Sequence, residues 1–314
     1  MKLGILTFSK TKKALAVGTL SIAREAKKRG HEVTFLYSNN VGLVFGNGKR
    51  ITYEGQSITR ADFDVILVRP GFTGDPSINA SIIKQFQLAG FYVINNYLAV
   101  FRAKNKIRTM QMLDHFGVPV PKTLVVANPA QIAVAATEFT FPVIIKTIFG
   151  THGTGVFIAE SMRSLSPIVD YLTKKERGPI KLQEYIAEAK GKDIRAFVCG
   201  KRIVAAMERV AKEGEFRANF HKGGSVGSVE LTKLEQQLAI KASQILGLDI
   251  SGVDILRTNT GPKIIEVNSN PGLEGISKAT NIPVAEKVVD FIEHRLASVG
   301  LKQAKPLPKR RMME

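Results

Sequence analysis

The sequence predicts an α/β domain followed by a larger α+β region, and three observations carry this. The chain opens on a β–α–β pattern: the apolar run Lys2–Phe8, then helical spacing of Leu15, Val17, Leu20, Ala23 and Ala26 within Thr11–Arg29, closed by Gly30, then His31–Tyr37. Past residue 103 the pattern changes to strands paired about glycine turns, at Asp193–Val198 with Ile203–Arg209 around Gly200, and at Ile250–Thr258 with Lys263–Asn268 around Asn259–Pro262. A length of 314 residues suits two domains or one with two lobes, and 44% hydrophobic content supplies a full core.

The first domain continues with the strand Asp64–Val68, a helix at Ser77–Ala89 and the strand Tyr92–Ile94. No G-x-G-x-x-G stands between its first strand and helix, so dinucleotide binding is not supported. A helix punctuated by Arg102, Lys104, Lys106 and Arg108 runs to Phe116 and closes on Gly117, and Val118-Pro119-Val120-Pro121 forms a stiff connector. Val143–Thr147 and Val156–Ala159 are strands flanking the glycine-rich Gly150–Gly155. A helix at Leu165–Lys175, the strand Leu182–Ile186 and helices at Leu234–Leu246 and Val284–Ala297 complete the ordered chain. Lys302–Glu314 reads as a disordered basic tail, and there is no internal repeat.

A formal charge of +18 points to an anionic partner: nucleic acid, nucleotide or acidic peptide. The single cysteine, Cys199, excludes an internal disulfide and fits a reducing cytoplasm. No signal peptide is expected after Met1-Lys2, and no segment has the apolar length that spans a bilayer, so a membrane role is not expected.

The hairpin at 250–268 carries the sharpest chemical signal. Centring its loop on Thr260 pairs Asp254 with Glu266 and Leu256 with Ile264, and alternation puts Asn268 on the face of Glu266. Two carboxylates directly opposite each other repel. A solvated hairpin face accommodates such acids, but these are embedded in Val, Ile and Leu and lead straight into Asn-Ser-Asn-Pro-Gly. A cation between them, Mg²⁺ or Mn²⁺, resolves the repulsion with hard oxygen ligands and a phosphate to complete the shell.

Elsewhere, the loop that includes Gly150, Gly153 and Gly155 follows a strand ending near Lys146, so backbone N–H groups and an ammonium can meet an anion there. It is not a P-loop, since no Lys-Ser/Thr follows the last glycine. The strand exit Gln183-Glu184-Tyr185-Ile186 suits recognition of a base through backbone groups. Arg217, Asn219, His221 and Lys222 gather cationic and polar groups in one loop, suited to a transferring phosphate or a substrate carboxylate. No nucleophilic triad and no zinc spacing is present. Phosphoryl transfer assisted by a divalent cation and cationic side chains is the chemistry that remains.

In this order the segments resemble the ATP-grasp superfamily, and within it the RimK-type ligases that add glutamate to the C-terminus of the sixth small-subunit ribosomal protein. The resemblance covers about Met1–Leu296 and rests on IRTMQML (Ile107–Leu113), QEYIAEAKGKDIR (Gln183–Arg195), ERVAKEGEFRANFHKGG (Glu208–Gly224), SGVDILR (Ser251–Arg257) and EVNSNPGLEGI (Glu266–Ile276). The glycine loop departs from the familiar pattern at His152 and Thr154, and Ser269-Asn270 stands where Ala-Ser is commoner.

The resemblance implies a Rossmann-like pre-ATP-grasp domain at 1–103, an ATP-grasp domain at 104–297 with a small lobe at 104–187 and a large lobe at 188–297, and a tail at 298–314. It implies ATP phosphates on Lys106 and Lys146 and the glycine flap, adenine beside Glu184, Tyr185 and Ile186, and ribose on Asp193. Arg217 and Asn219 would lie at the triphosphate, and Asp254, Glu266 and Asn268 would hold Mg²⁺, usually two ions. Arg209, His221 and Lys222 are candidate substrate contacts. The implied reaction is cytoplasmic: ATP phosphorylates an acceptor carboxylate, and the amine of L-glutamate displaces phosphate to form an amide. The acceptor would be the acidic C-terminus of a ribosomal protein or a growing α-linked glutamate chain, with possible ribosome contact through the basic tail and a homo-oligomer, a tetramer by resemblance. Two rival readings are a glutamate ligase acting on a small cofactor or carrier protein, and a ribosome- or RNA-binding protein on an inactive scaffold.

Overall fold

Strand β1 (Lys2–Thr7), helix α1 (Val17–Lys28), strands β2 (Glu32–Tyr37), β3 (Val41–Val44), β4 (Arg50–Tyr53), β5 (Gln56–Ile58) and β6 (Val65–Arg69), helix α2 (Pro76–Leu88) and strand β7 (Val93–Ile94) form the first domain. The structure, a computed structural model, describes residues 1–9, 14–46, 48, 50–71, 76–148, 155–176, 178–212 and 224–299. The main sheet has the order β2-β1-β6-β7 with every neighbour parallel. Crossovers run from β1 outward to β2 and back past β1 to β6, so the strand order reverses between β1 and β6. A second, antiparallel sheet, β3-β4-β5, is absent from the sequence reading. Helix α1 starts at Val17, later than the expected Thr11, because Ala16 is extended and Leu15 is buried ahead of the helix.

The single helix expected up to Phe116 is two. Helix α3 (Tyr97–Lys104) ends and α4 (Lys106–His115) begins at Asn105, whose extended backbone breaks the run. Its Oδ1 accepts from the backbone N–H of Ile107 and Arg108, a side-chain cap that satisfies two otherwise unpaired donors.

Next comes a second antiparallel unit: β8 (Thr123–Val126), α5 (Ala133–Glu138), β9 (Val143–Thr147), β10 (Val156–Ala159), α6 (Met162–Glu176) and β11 (Ile180–Glu184), with sheet order β10-β9-β11-β8. Its core is its own. Val126, Val143, Ile145 and Leu182 of the sheet bury against Leu165 and Val169 of α6.

The third unit holds β12 (Lys192–Cys199), β13 (Arg202–Val210), β14 (Ser225–Ser228), α7 (Lys233–Leu246), β15 (Ile250–Leu256), β16 (Lys263–Asn268), α8 (Glu274–Thr280) and α9 (Val284–Val299), with antiparallel order β14-β13-β12-β15-β16. Helix α7 is capped by Thr232 and Glu235 and stops at Gly247, whose φ of 79° is the left-handed conformation that favours glycine. One sheet face, with Ala196, Val253 and Val267, packs on Leu238 and Ala242 of α7 and Leu113 of α4. The other face, with Phe197, Cys199 and Met207, packs on Ile276 of α8 and Ile292 of α9. That core continues into Leu3, Ile5, Ile22 and Leu67 of the first domain. The first domain and the third unit therefore share one hydrophobic interior.

Polar ties reinforce the shared seam. Buried Asn95 donates to the carbonyls of Ile250 (2.7 Å) and Ser269 (3.2 Å), and its Oδ1 accepts from the backbone N–H of Asp249 and Ile250, both at 2.8 Å. At the edge, Arg29 pairs with Asp290 (2.6 Å) and Glu293 (2.9 Å) of α9.

Candidate active site

Several of the candidate residues lie on one face of the large antiparallel sheet. On β12, Asp193 and Arg195 share a face with Phe197 and Cys199. The register places Asp193 beside Arg209, Arg195 beside Asp254, and Asp254 beside Glu266. Thus the apolar half of this face is roofed by α8 and α9, and the polar half turns towards the middle unit.

The Asp254–Glu266 pairing agrees with the sequence reading, but the Leu256–Ile264 pairing does not. Ile255 lies opposite Ile264 and Leu256 opposite Lys263, a shift of one residue that follows Asp254. Ile265 is the extra residue of a β-bulge. Ile264 takes the core position opposite Ile255, and its backbone N–H donates to the Pro119 carbonyl at 2.8 Å. Ile265 and Glu266 then both line a small cleft with Lys106, Thr109, Met110 and Lys181.

The carboxylates do not repel each other bare. Arg195 grips Asp254 with two parallel bonds, Nε to Oδ1 and Nη2 to Oδ2, both 2.7 Å. Arg209 reaches Asp254 Oδ2 at 3.0 Å and Asp193 Oδ1 at 2.5 Å. Burial alone would raise the Asp254 carboxyl, but Arg195 and Arg209 outweigh it and hold the group below the usual carboxylate range. Burial pushes the Asp193 carboxyl up, against the Arg209 guanidinium that pairs with it. Gly252 makes room for this packing: a Cβ there would meet Pro271 at 2.9 Å and Arg195 at 3.5 Å.

Across the cleft the middle unit contributes ammonium groups. Lys146 on β9 lies opposite Lys181 on β11. Lys146 Nζ donates to Gln183 Oε1 at 2.8 Å, and Gln183 donates to Thr123 Oγ1 at 3.1 Å, which fixes the lysine. Lys181 is 1% exposed. Burial lowers the pKa of both lysines, and Glu266 opposes the shift in both. Lys104 is lowered by burial to about 8, again against Glu266. A buried positive cluster facing carboxylates is arranged to take an anion of high charge.

The structure thus brings Lys106, Lys146, Asp193, Asp254 and Glu266 into one electrostatic neighbourhood. Glu184 ends β11, accepts from the backbone N–H of Lys122 at 2.9 Å and pairs with Lys263 of β16, linking the two facing units. Tyr185 and Ile186 lie past the end of β11, in the link to β12, where the sequence reading had extended the strand. Arg209, a candidate substrate contact, is 5% exposed and committed to Asp193 and Asp254. Gly155 has φ 76°, and its carbonyl accepts from Thr147 at 3.0 Å. Gly150, Gly153, Arg217, Asn219, His221 and Lys222 lie outside the described residues.

Sequence reasoning missed Arg195, Lys181 and Lys104 as site residues. Arg195 shares the parity of Asp193, but its partner Asp254 is set by the β12–β15 pairing, which no hairpin announces. Lys181 was outside the expected strand, which was started two residues late.

The donor set fits a hard divalent cation. Asp254 has three of its roughly four lone-pair directions taken, leaving one on Oδ1. Asn268 carries a buried amide whose Nδ2 has no hydrogen-bond partner among the described residues. No group of three or more His, Cys, Asp or Glu side chains is placed to hold a metal ion among those residues. A cation held here would take Asp254, Glu266 and Asn268 and complete its shell with phosphate or water oxygens.

Comparisons with known proteins follow this geometry. A family model described as a RimK-like ATP-grasp domain matches residues 103–292. A probable alpha-L-glutamate ligase of Vibrio vulnificus (strain YJ016) is 38% identical over 290 residues, 92% of each chain. The crystal structure of a RimK domain protein ATP-grasp from Sphaerobacter thermophilus DSM 20745 superposes with a TM-score of 0.68 at 19% identity, covering 93% of this chain and 100% of that one. The ATP-grasp ligase PsnB, complexed with minimal precursor, Mg and ADP, gives a TM-score of 0.71 at 17% identity over 94% and 97% of the two chains. At these identities the structural matches establish the shared fold.

Proposed function

The chain belongs to the RimK-like ATP-grasp family, and from that premise we propose that it joins L-glutamate to the C-terminal carboxylate of an acidic protein, using ATP and Mg²⁺. It is an ATP-grasp ligase that forms a carbon–nitrogen bond and releases ADP. The observation that carries the proposal is the facing of the two sheets: Lys146 and Lys181 from one, Asp254 and Glu266 from the other.

In this reading ATP lies in the cleft between residues 104–187 and 188–297, with the first domain at 1–103 beside it. Lys146, held by Gln183, and Lys106 neutralise the phosphates, and burial strengthens each contact. Asp254, Glu266 and Asn268 hold Mg²⁺, which when bound shields the transferring phosphoryl charge. Arg195 and Arg209 fix Asp254 and keep it ionised. Glu184, Tyr185 and Ile186 border the adenine, and Asp193 faces the ribose. An acceptor carboxylate oxygen attacks the γ-phosphorus and ADP leaves. The glutamate amine attacks the acyl carbon, phosphate leaves, and the amine loses a proton. Arg217 and Asn219 are assigned to the triphosphate, and His221 and Lys222 to the acceptor. The charge of +18 favours an acidic acceptor tail such as that of a ribosomal protein. The lone buried Cys199 is consistent with a cytoplasmic setting.

The test is ADP release measured with ATP, Mg²⁺, each amino acid and a panel of acceptors, followed by mass spectrometry of the products. Glutamate-dependent ADP release with glutamyl additions at a protein C-terminus is expected. Additions only to small cofactors would replace the acceptor assignment, and RNA binding without ATP consumption would overturn the ligase reading.

A further inference from the structure

Arg69 stands apart from the residues discussed so far. It is the last residue of β6, at the carboxyl end of the parallel sheet, beside the point where the strand order reverses between β1 and β6. Crevices at such reversals are where open α/β sheets bind ligands. The side chain is 5% exposed. Its Nε donates to Thr19 Oγ1 at 3.2 Å and its Nη2 to the Pro271 carbonyl at 3.0 Å, both neutral acceptors. Among the described residues no carboxylate pairs with it. Burial lowers its pKa to about 10, which leaves it charged at neutral pH.

A buried cation without a counter-charge is costly, and arginine does not escape by releasing its proton near neutrality. The cost has a second half on the facing turn. Pro271 follows Asn268-Ser269-Asn270, and both Ser269 Oγ and Asn270 Oδ1 are buried with no hydrogen-bond partner among the described residues. Gly71, two residues past Arg69, faces Asn270: a Cβ there would lie 3.8 Å from Asn270 Nδ2. Lys104 lies within electrostatic reach of both Arg69 and Glu266, so it joins this corner to the cleft of the ligase site.

We propose that Arg69, backed by Lys104 and the Ser269–Asn270 turn, anchors a substrate carboxylate at the junction of the first domain and the large antiparallel sheet. The anchor rests on the ligase reading for its place in a reaction. Its chemistry is set by the site itself: a planar, two-pronged donor matches a carboxylate bidentately, and its burial excludes the competing water. The carboxylate belongs either to the incoming amino acid or to the acceptor. It is not the group being phosphorylated, whose oxygen must reach the phosphates at Lys146. The first domain thereby contributes directly to substrate choice.

Steady-state kinetics of Arg69→Gln and Arg69→Lys decide it, with ATP, glutamate and a peptide ending in Glu-Glu varied in turn. The expected result is a 10- to 100-fold rise in KM for one carboxylate substrate with KM for ATP unchanged, and partial recovery in Arg69→Lys. A rise confined to glutamate identifies the incoming amino acid, and one confined to the peptide identifies the acceptor. Discrimination of glutamate from glutamine should collapse in Arg69→Gln if the side-chain carboxylate is the one held, a readout that merely loosening the Pro271 turn would not move. Should turnover vanish, calorimetric binding of glutamate and peptide to the ADP–Mg²⁺-loaded variants replaces kinetics. Unchanged affinity for both ligands overturns the anchor. Absence of glutamate-dependent turnover in the unmodified protein would instead overturn the ligase reading, and carboxylate binding with and without Arg69 would still test the anchor.

Discussion

The middle unit and the large antiparallel unit are both sheets backed by helices, yet they are packed differently. The middle unit closes its core on itself, with Leu182 and Val143 against Leu165 and Val169. The large unit lends half of its sheet to an interior shared with β1, α1 and β6. One described tie between the middle and large units is polar, the Glu184–Lys263 pair. Two bodies with separate cores and a polar contact form a hinge-like pair. The proposed mechanism divides its charge between them, cations on one body and acids on the other.

The largest expected effect breaks that division. Glu266→Gln and Lys146→Met should each lower kcat by about 10²–10³-fold, the range for removing one preorganised electrostatic group, although the residues lie on different bodies. Equal turnover to the unmodified protein in either would remove that body from the site. Asp254→Asn should also lose turnover, but at a further cost of about 3–5 kcal/mol in urea unfolding, because it takes the carboxylate from partly buried Arg195 and leaves buried Arg209 with Asp193 alone.

Core truncations come next. Leu182→Ala and Ile292→Ala should each cost about 2–5 kcal/mol. The distribution of that cost is the informative part. Hydrogen exchange should rise only within 123–184 for Leu182→Ala. For Ile292→Ala it should rise together across the first domain and the large unit. A global response to Leu182→Ala would show that the two bodies unfold as one.

How much of this was legible in the chain differs between the same two bodies. The facing of Asp254 and Glu266 could be read, but through a register that is one residue out beside the loop, where Leu256 faces Lys263 and Ile255 faces Ile264, and that the bulge restores. The bulge at Ile265 could not, since it depends on Ile264 bonding to Pro119, far away in sequence. The break at Asn105 was written in a residue type that favours caps, but four regularly spaced cations masked it as one helix. Arg195 was invisible as the partner of Asp254 because β12 and β15 are not neighbours in sequence. The shared interior was equally hidden, since an amphipathic pattern in α9 shows that the helix is covered on one face but not by what.

The ordinary lysine value is 10.5, and burial lowers Lys104 to about 8. Between those values the unfolded chain holds a proton that the folded chain lacks, so this group makes stability rise with pH from about 8 to 10.5. Lys104→Met should flatten that slope, by an amount on the order of 2–3 kcal/mol across the window. Nucleotide binding has the opposite sign: phosphate favours the charged amine, so binding should take up protons near pH 8 and weaken above it. Calorimetry in buffers of different ionisation heat measures that uptake, and proton release would contradict it.

The smallest effect belongs to the contact between the bodies. Glu184→Gln should change stability by only about 0–1 kcal/mol, the range for pairs still in reach of solvent, while shifting KM for ATP several-fold. A large stability loss without a KM change would make the pair a structural clamp and the bodies less independent than their cores suggest.

The docking of α9 on α1 has a consequence for the order in which the protein is made. Arg29 and its partner Asp290 are separated by 261 positions. At about 5–20 residues per second of synthesis, Arg29 emerges roughly 10–50 s before Asp290 exists. During that interval Ile22 and its neighbours lack the surface that finally covers them, whereas β8 to β11 can close their own core as soon as β11 is made. The enzyme's middle is free to finish folding before its beginning.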